Sequence, residues 1–153
     1  MLLLLFHLGG DRFALDARQI AEVLPLVAVT RIPLAPPGVA GLFNYRGTPV
    51  PAIDLSQLTV GRPAPPRLST RLVVVHYPDD DGNTRLLGLI AEKATETVRR
   101  ERADFVDSGV TSHQAPHLGP VASDDLGSIH WIDLQKLLPE SVRDVLFKNS
   151  PDH

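Results

Sequence analysis

Short apolar runs separated by glycine and proline turns dominate the chain, and this pattern predicts a protein built mostly from β-strands. The first run, "LLLLFHL", ends at the turn "GGD", and "RFALD" is its predicted hairpin partner. The continuous run "RLVVVHY" is typical of a strand covered on both faces, and "TRLLGLIAE" is predicted to return beside it across the turn "PDDDGN". "VAVTRIPL" and "TETVRRE" are predicted as further strands, "GPVASDDLGSIHWIDL" as a late hairpin, and residues 103–120 as mostly irregular.

Two segments instead have helical spacing. In "DARQIAEVL", Asp16 is a candidate N-cap, and Ile20, Val23 and Leu24 would share one face of a short helix. In "LPESVRDVLF", a proline suits the first turn, and the sequence predicts a short closing helix with Val142, Val145 and Leu146 on one face.

The stretch "GLFNYRGTPVPAIDL" predicts a hairpin with Arg46 at its bend. Gly47 can adopt the positive φ that a tight hairpin turn requires. Because Pro49 and Pro51 cannot donate hydrogen bonds to a neighbouring strand, the second arm is predicted to be an edge or bulged strand.

A short pattern occurs once in each half of the chain, as "IDLSQL" at 53–58 and "IDLQKL" at 132–137. In each copy the aspartate, Asp54 or Asp133, can cap a following helical turn. The proline-rich stretch 61–70, "GRPAPPRLST", is a candidate boundary between two lobes. Many short strands with glycine and proline turns favour small barrels over an α/β sheet, so the fold class predicted is all-β with short helices.

Composition narrows the function classes. The 153 residues include 15 Lys+Arg and 18 Asp+Glu, for a net charge of −3, and only 5% are aromatic, which argues against nucleic acid as a partner. There are no cysteines, which excludes disulfides and thiolate metal sites and fits a reducing cytoplasm. "MLLLLF" lacks the basic start of a signal peptide, and no apolar run approaches membrane-span length, so no direct membrane insertion is expected.

The candidate chemistry is sparse. His113 and His117, in "HQAPH", have a spacing that suits zinc on a helix, but Pro116 argues against a helix there. "DDDGN" lacks the ligand spacing of a calcium loop, and Asp54 and Asp133 are explained by capping. The favoured hypothesis is a binding module without catalytic, cofactor-binding or metal-binding residues. A small metal-dependent hydrolase using His113 and His117 is the alternative, and an oligonucleotide-binding barrel is a second rival.

The stretch "EVLPLVAVTRIPLAPPGVAGLFNYRGTPVPAIDLSQL" resembles the CheW-like family of chemotaxis coupling proteins. The features that carry the resemblance are Glu22-Val23, the prolines at 33 and 36, Gly41-Leu42, "NYRG" at 44–47 and "PAIDL" at 51–55. "LLGLIAEKATETV" and "IHWIDLQKLLP" resemble later segments of the family, so that the similarity extends over about residues 3–139.

The resemblance implies one CheW-like domain over residues 1–147, made of two five-stranded SH3-like barrels, and no enzymatic activity or cofactor. The expected lobes are about 10–66 and 67–138, with terminal segments completing the barrels and a disordered tail at 148–153. The implied partners are the cytoplasmic tip of a methyl-accepting receptor and the CheA-like coupling domain of a histidine kinase. The implied location is the cytoplasm at the inner face of the membrane, with self-association in rings.

By the same resemblance, the partner-binding residues lie on the Glu-Val segment, on the hairpin and at two glycines. From the residues alone, the favoured interpretation of Arg46 is a cap of the turn carbonyls or a solvated charge, and Ile20 and Val23 are favoured as core residues. Glu22 is either a solvated charge at a helix end or a partner contact. Gly41 and Gly88 are first of all positions of close backbone approach. The candidates are Arg46, Glu22, Val23, Ile20, Asn44, Tyr45, Gly47, Gly41 and Gly88.

The chain also departs from the family pattern. Tyr45 stands where the family prefers leucine, and "AE" at 91–92 replaces a usual Val-Asp. Such a divergent copy suits a dedicated pathway, for example surface sensing, twitching or cyclic-dinucleotide control.

Overall fold

A computed structural model of the chain, described over residues 1–78, 82–107 and 116–147, is mostly β-sheet with two short α-helices. The strands are β1 Leu2–Leu8, β2 Asp11–Asp16, β3 Ile20–Pro25, β4 Val39–Tyr45, β5 Thr48–Asp54, β6 Arg71–Pro78, β7 Thr84–Arg99, β8 Leu118–Asp124 and β9 Gly127–Ile132. The helices are α1 Leu55–Val60 and α2 Glu140–Phe147. The predicted fold class, all-β with short helices, is confirmed.

The strands form two sets of five that share the long strand β7. In the first lobe the order is β3-β6-β7-β5-β4, and β7 contributes its first half, Thr84–Ala91. In the second lobe the order is β7-β1-β2-β9-β8, and β7 contributes its second half, Glu92–Arg99. Lys93, just past the junction, has a φ of 50° where the β1 pairing shifts register.

The main hydrophobic core lies between the two sheets, with a smaller cluster on the other face of each. Along β6, Val73, Val75 and Tyr77 belong to the shared core, whereas Leu72 and Val74 belong to the first-lobe cluster. Because successive side chains of a strand alternate between faces, both faces of β6 are buried. This confirms the prediction drawn from "RLVVVHY", and β1 is buried on both faces in the same way.

In each lobe an isolated backbone bridge joins the two ends of the strand order. Thr30, beyond the end of β3, exchanges hydrogen bonds of 2.7 and 2.8 Å with Leu42 of β4. Val106, beyond the end of β7, exchanges bonds of 2.9 and 2.8 Å with Val121 of β8. We call this side of each lobe its seam. Five strands with joined edges are compatible with the SH3-like barrels that the sequence predicts.

Four local predictions are wrong. The second hairpin arm, β5, is not an edge or bulged strand: it lies between β4 and β7, and the register shift falls on β4 at Val39–Gly41, although Pro49 and Pro51 themselves pair only with β4.

The helix expected from Asp16 is only a 3₁₀ turn over Ala17–Gln19, which Asp16 does cap, and the chain then continues as β3, whose residues pair with β6. "VAVTRIPL" supplies only the Thr30 bridge, since it contains Pro33 and lies between Pro25 and Pro36. "TETVRRE" is not a separate strand; its residues up to Arg99 continue the long strand β7.

Most turns follow the sequence. Asp54 caps α1, accepting a hydrogen bond of 3.1 Å from Gln57 N, and Asp133 caps the 3₁₀ turn Leu134–Lys136. The closing helix buries Val142 and partly buries Leu146, but Val145 is exposed.

Strand pairing divides the lobes differently from the predicted split near residues 66 and 67. Strand β6 and the first half of β7 pair with strands from residues 20–54, and β1 and β2 pair within the second lobe. The outer limits of the domain, 1–147, and the tail at 148–153 stay predictions, and the tail lies outside the described residues.

Candidate interaction surface at the hairpin of the first lobe

The turn between β4 and β5 presents an arginine in an uncommon backbone conformation. Arg46 and Gly47 both have positive φ, 52° and 85°, as a type I′ hairpin turn requires. The Asn44 side chain stabilises this turn by accepting a hydrogen bond of 2.8 Å from Gly47 N. The tight turn therefore fixes where the Arg46 side chain leaves the backbone.

Glu22 joins Tyr45 and Arg46 in one cluster. Its Oε1 atom accepts hydrogen bonds of 2.9 Å from the Tyr45 hydroxyl and of 2.9 Å from Arg46 Nη2. The Arg46 guanidinium also lies over the Tyr45 ring, with Cζ 5.2 Å from the ring centroid. The side chains of Arg46 and Glu22 are 75% and 35% exposed, so the cluster is open to a binding partner.

Within the described residues, several polar atoms of the Glu22–Tyr45–Arg46 cluster make no hydrogen bond. Within the part of the chain that the structure describes, Oε2 of Glu22 accepts no hydrogen bond, and Nε and Nη1 of Arg46 donate none. The hydrogen bond to the Glu22 carboxylate raises the pKa of the Tyr45 hydroxyl above its usual value, so this hydroxyl remains a donor near neutral pH. The cluster can thus offer both an acceptor and a planar set of donors to another molecule.

The three residues lie on opposite edges of the first lobe. Glu22 lies on β3 and Tyr45 on β4, the two ends of the strand order, so their hydrogen bond crosses the seam. Tyr45 packs against the first-lobe cluster, its ring 6.4 Å from that of Phe43. The exposed cluster is therefore held in place by the packing of Tyr45 against the hydrophobic interior of the first lobe.

Ile20 and Val23 face away from this cluster. They pair with Val75 and Val73, whose side chains belong to the core between the lobes, whereas Glu22 pairs with Val74 on the other face. Ile20 packs against that core, and Val23 remains partly exposed. The predicted site residues therefore fall on both faces of β3.

Gly41 and Gly88 are buried positions of close approach, as the sequence predicts. A Cβ atom on Gly41 would lie 2.0 Å from the Thr30 carbonyl oxygen, and the φ of Gly41 is 145°. A Cβ atom on Gly88 would lie 2.5 Å from a ring carbon of Phe43. Gly41 thus allows the seam bridge, and Gly88 makes room for the ring behind Tyr45.

The sequence analysis missed a second carboxylate cluster, at the seam of the second lobe. Arg12 of β2 forms a two-pronged ion pair with Asp124 of β8, and Arg100 Nη2 donates a bond of 3.3 Å to the same carboxylate. Arg12 and Asp124 are 112 residues apart, and their sequence context carries no sign of the pairing.

The alternative reading as a metal-dependent hydrolase gains no support from the structure. His117 is buried, its Nε2 lies 3.0 Å from the Thr59 hydroxyl, and burial lowers its pKa to about 4. His113 lies outside the described residues. Over residues 1–78, 82–107 and 116–147, no group of three or more histidine and acidic side chains could hold a metal ion.

No helix in the described ranges is both long enough and apolar enough to cross a membrane.

These features define a class of protein, a two-lobed β domain with a charged, hydrogen-bonded cluster on the surface of its first lobe. The chain belongs to the CheW-like domain family, whose sequence profile matches residues 2–142. The prediction drawn from the hairpin motifs is therefore confirmed at the level of the family.

Several known proteins are similar to the chain. It is 31% identical over 101 residues to the chemotaxis protein CheW of Helicobacter pylori, a match that covers 65% of this chain and 58% of the relative. It is 22% identical over 138 residues to the chemotaxis protein CheW of Bacillus subtilis, covering 89% of this chain and 85% of the relative. Thus the chain spans little more than half of the first relative and most of the second.

A solved structure shows the same fold. The scaffolding protein TtCheW from Thermoanaerobacter tengcongensis superposes with a TM-score of 0.78, covering 92% of this chain and 89% of that one, at 22% identity. The expectation of a scaffold rather than an enzyme agrees with the names of these relatives, which are chemotaxis and scaffolding proteins.

Proposed function

We propose that the protein is a non-enzymatic adaptor that couples methyl-accepting chemoreceptors to a histidine autokinase. The observation that carries this proposal is the Glu22–Tyr45–Arg46 cluster, an exposed and preorganised set of charges on a fold of the CheW-like family. Arginine and tyrosine are enriched among the residues that contribute most to protein interfaces.

An adaptor of this kind would need two surfaces, one for each partner. The hairpin cluster, with the partly exposed Val23 on the other face of β3, would contact the cytoplasmic tip of the receptor. A face of one lobe would pair with the CheA-like coupling domain of the kinase, and repetition of such contacts would form rings. Weak individual contacts would then gain strength from the geometry of the array.

The adaptor would act in the cytoplasm, at the inner face of the membrane where receptor tips cluster. Tyr45 in place of the family's usual leucine supports a dedicated pathway, such as surface sensing, twitching or cyclic-dinucleotide control, because it changes the hydrogen bonding of the proposed contact residues.

The test is a charge reversal at the hairpin. Arg46→Glu should weaken binding to a chemoreceptor cytoplasmic fragment by about thirtyfold or more, the loss typical of a hot-spot arginine. Since Arg46 is largely exposed, the midpoint of thermal unfolding should change by only about 2 °C. Co-purification and calorimetric titration measure the binding.

Arg67→Glu is the matched control, because it makes the same charge change on the exposed loop 61–70, outside the cluster. It should bind as the wild type does. Binding by Arg46→Glu that equals the control would contradict the proposed contact surface.

A further inference from the structure

The Tyr45 hydroxyl is placed to act through Glu22. It donates to Oε1, the same atom that accepts from Arg46 Nη2, and the two donors come from adjacent residues at the hairpin tip. One carboxylate oxygen on β3 is thus held by two donors from across the seam. The other oxygen, Oε2, accepts no bond from the described residues and remains available.

The ring of Tyr45 orients Arg46 independently of the hydroxyl. The guanidinium lies over the ring at 5.2 Å, and the ring itself packs against Phe43 inside the first lobe. With one face on the ring and Nη2 bonded to Glu22, the remaining N–H groups of Arg46 form the edge that an incoming group can reach.

We propose that Tyr45 is a positioning residue that clamps Glu22 across the seam, so that Glu22 and Arg46 meet the partner as a fixed acceptor–donor pair. The partner is a protein segment that carries a carboxylate for Arg46 beside an N–H or cationic donor for Oε2 of Glu22. This inference rests on the proposed adaptor function and adds to it the chemistry of the partner and the role of Tyr45.

The physical reason is preorganisation. Glu22 and Arg46 are long, partly exposed side chains, and fixing such side chains at an interface costs binding free energy unless they are already ordered. The Tyr45 hydroxyl supplies that order before the partner arrives. A carboxylate on the partner would form a charge-assisted pair with the planar guanidinium, which suits two parallel hydrogen bonds.

Tyr45→Phe removes the hydroxyl and keeps the ring under Arg46. It should weaken binding about three- to tenfold, the range expected for one hydrogen bond. Glu22→Gln should weaken binding about tenfold or more, because it removes the charge and replaces one acceptor oxygen with a donor. The probes are a purified chemoreceptor cytoplasmic fragment and the kinase coupling domain from the source organism, measured by calorimetric titration.

The double variant separates positioning from direct contact. If the hydroxyl acts through Glu22, Tyr45→Phe with Glu22→Gln should bind no more weakly than Glu22→Gln alone. Additive losses, or wild-type binding by Tyr45→Phe, would overturn the proposal. Tyr77→Phe is the matched control: Tyr77 is buried in the shared core, and losing its hydroxyl should leave binding unchanged.

A second measurement needs no partner. The chain has two tyrosines, so the difference between the absorbance titrations of the wild type and Tyr45→Phe reports the ionisation of Tyr45. That ionisation should occur at a higher pH in the wild type than in Glu22→Gln, because the carboxylate opposes loss of the proton. The same ionisation pH in both proteins would overturn the clamp.

The two measurements distinguish the two possible failures. If the wild type binds neither probe, the adaptor function fails and the partner half of this inference fails with it. The absorbance titration still decides whether Tyr45 holds Glu22, since it depends on the folded chain alone.

Discussion

The two lobes carry the same arrangement at their seams, one carboxylate held by two donors, but in different surroundings. In the first lobe Glu22 accepts from Tyr45 and Arg46, and the Arg46 side chain is 75% exposed. In the second lobe Asp124 accepts from Arg12 and Arg100, whose side chains are 12% and 32% exposed. In the first lobe Glu22 on β3 and Tyr45 on β4 connect the two ends of the strand order. In the second lobe Arg100, just past the end of β7, reaches Asp124 on β8, while Arg12 lies on the middle strand, β2.

The clusters differ in the number of hydrogen bonds that the arginine donates within the described residues. Arg12 uses both terminal nitrogens on Asp124, and Nη2 also donates to the Gly127 carbonyl at 2.9 Å. These bonds lower the pKa of Asp124 to about 2, with help from the Leu126 backbone N–H and Arg100. Arg46 donates a single hydrogen bond within the described residues.

We propose that this shared chemical motif serves two purposes. A shielded arginine with three hydrogen bonds would hold one hairpin to its neighbours, whereas an exposed arginine with one hydrogen bond would be available for recognition. The predictions below test whether this difference holds.

The largest expected effect is on the backbone bridge of the first-lobe seam. Gly41→Ala would place a Cβ atom 2.0 Å from the Thr30 carbonyl oxygen at a φ of 145°. Since the obstacle is backbone, we expect the free energy of unfolding to fall by about 3 kcal/mol or more, measured by urea denaturation.

Gly47→Ala is the control for this substitution. Gly47 also has a positive φ, but an added Cβ would meet no atom within 4 Å, so the loss should be only about 1 kcal/mol. Equal losses in the two variants would mean that the edges of the first lobe do not meet as closely as described.

The second prediction concerns the contribution of the Arg12–Asp124 ion pair to stability. Asp124→Asn should lower the midpoint of thermal unfolding by several degrees near neutral pH, because the shielded Arg12 would lose its charged partner. Binding of the receptor fragment should be unchanged, since the cluster at Arg46 is untouched.

Lowering the pH should remove the difference in stability between the wild type and Asp124→Asn. The pKa of Asp124 is about 2 in the folded protein and 3.8 ordinarily, so its contribution is present above the ordinary value and is lost as the pH falls toward 2. The stabilities of the wild type and Asp124→Asn, measured by urea denaturation, should therefore begin to approach each other below about pH 4 and converge only near pH 2. If the difference in unfolding free energy between the two proteins stayed constant down to that pH, the charge of Asp124 would not be what stabilises this hairpin.

Local pattern predicted much of the fold. The alternation and turns of "FNYRGTPV" and the buried run "RLVVVHY" specify β4, β5 and β6, because burial and turn geometry there depend on neighbouring residues. The segment after Asp16 was misread because Ile20, Val23 and Leu24 fit a helix by spacing, yet pairing with β6 determines their conformation.

The site was predicted only in part, for the same physical reason. Motif resemblance indicated Glu22, Tyr45 and Arg46 separately, and hydrogen bonds over 23 and 24 residues bring them together. The sequence gives no local sign of which edges of the sheet meet, so neither the shared Oε1 atom nor the Asp124 cluster was foreseen.

The smallest expected effect is on stability at the exposed cluster. Glu22→Gln and Arg46→Gln should each change the free energy of unfolding by less than about 0.5 kcal/mol, because exposed ion pairs contribute little. Urea denaturation of both variants and their double variant would also give the coupling between the two side chains, expected at about 0.2–1 kcal/mol.

These same variants should nevertheless lose binding, and that contrast is what separates the lobes. If Glu22→Gln or Arg46→Gln lowered the free energy of unfolding as much as Asp124→Asn, Glu22 and Arg46 would also stabilise the fold. The proposed difference in role between the two clusters would then be wrong. Small losses in stability together with large losses in binding would mean that the first-lobe cluster is maintained for its partner, because the fold does not require it.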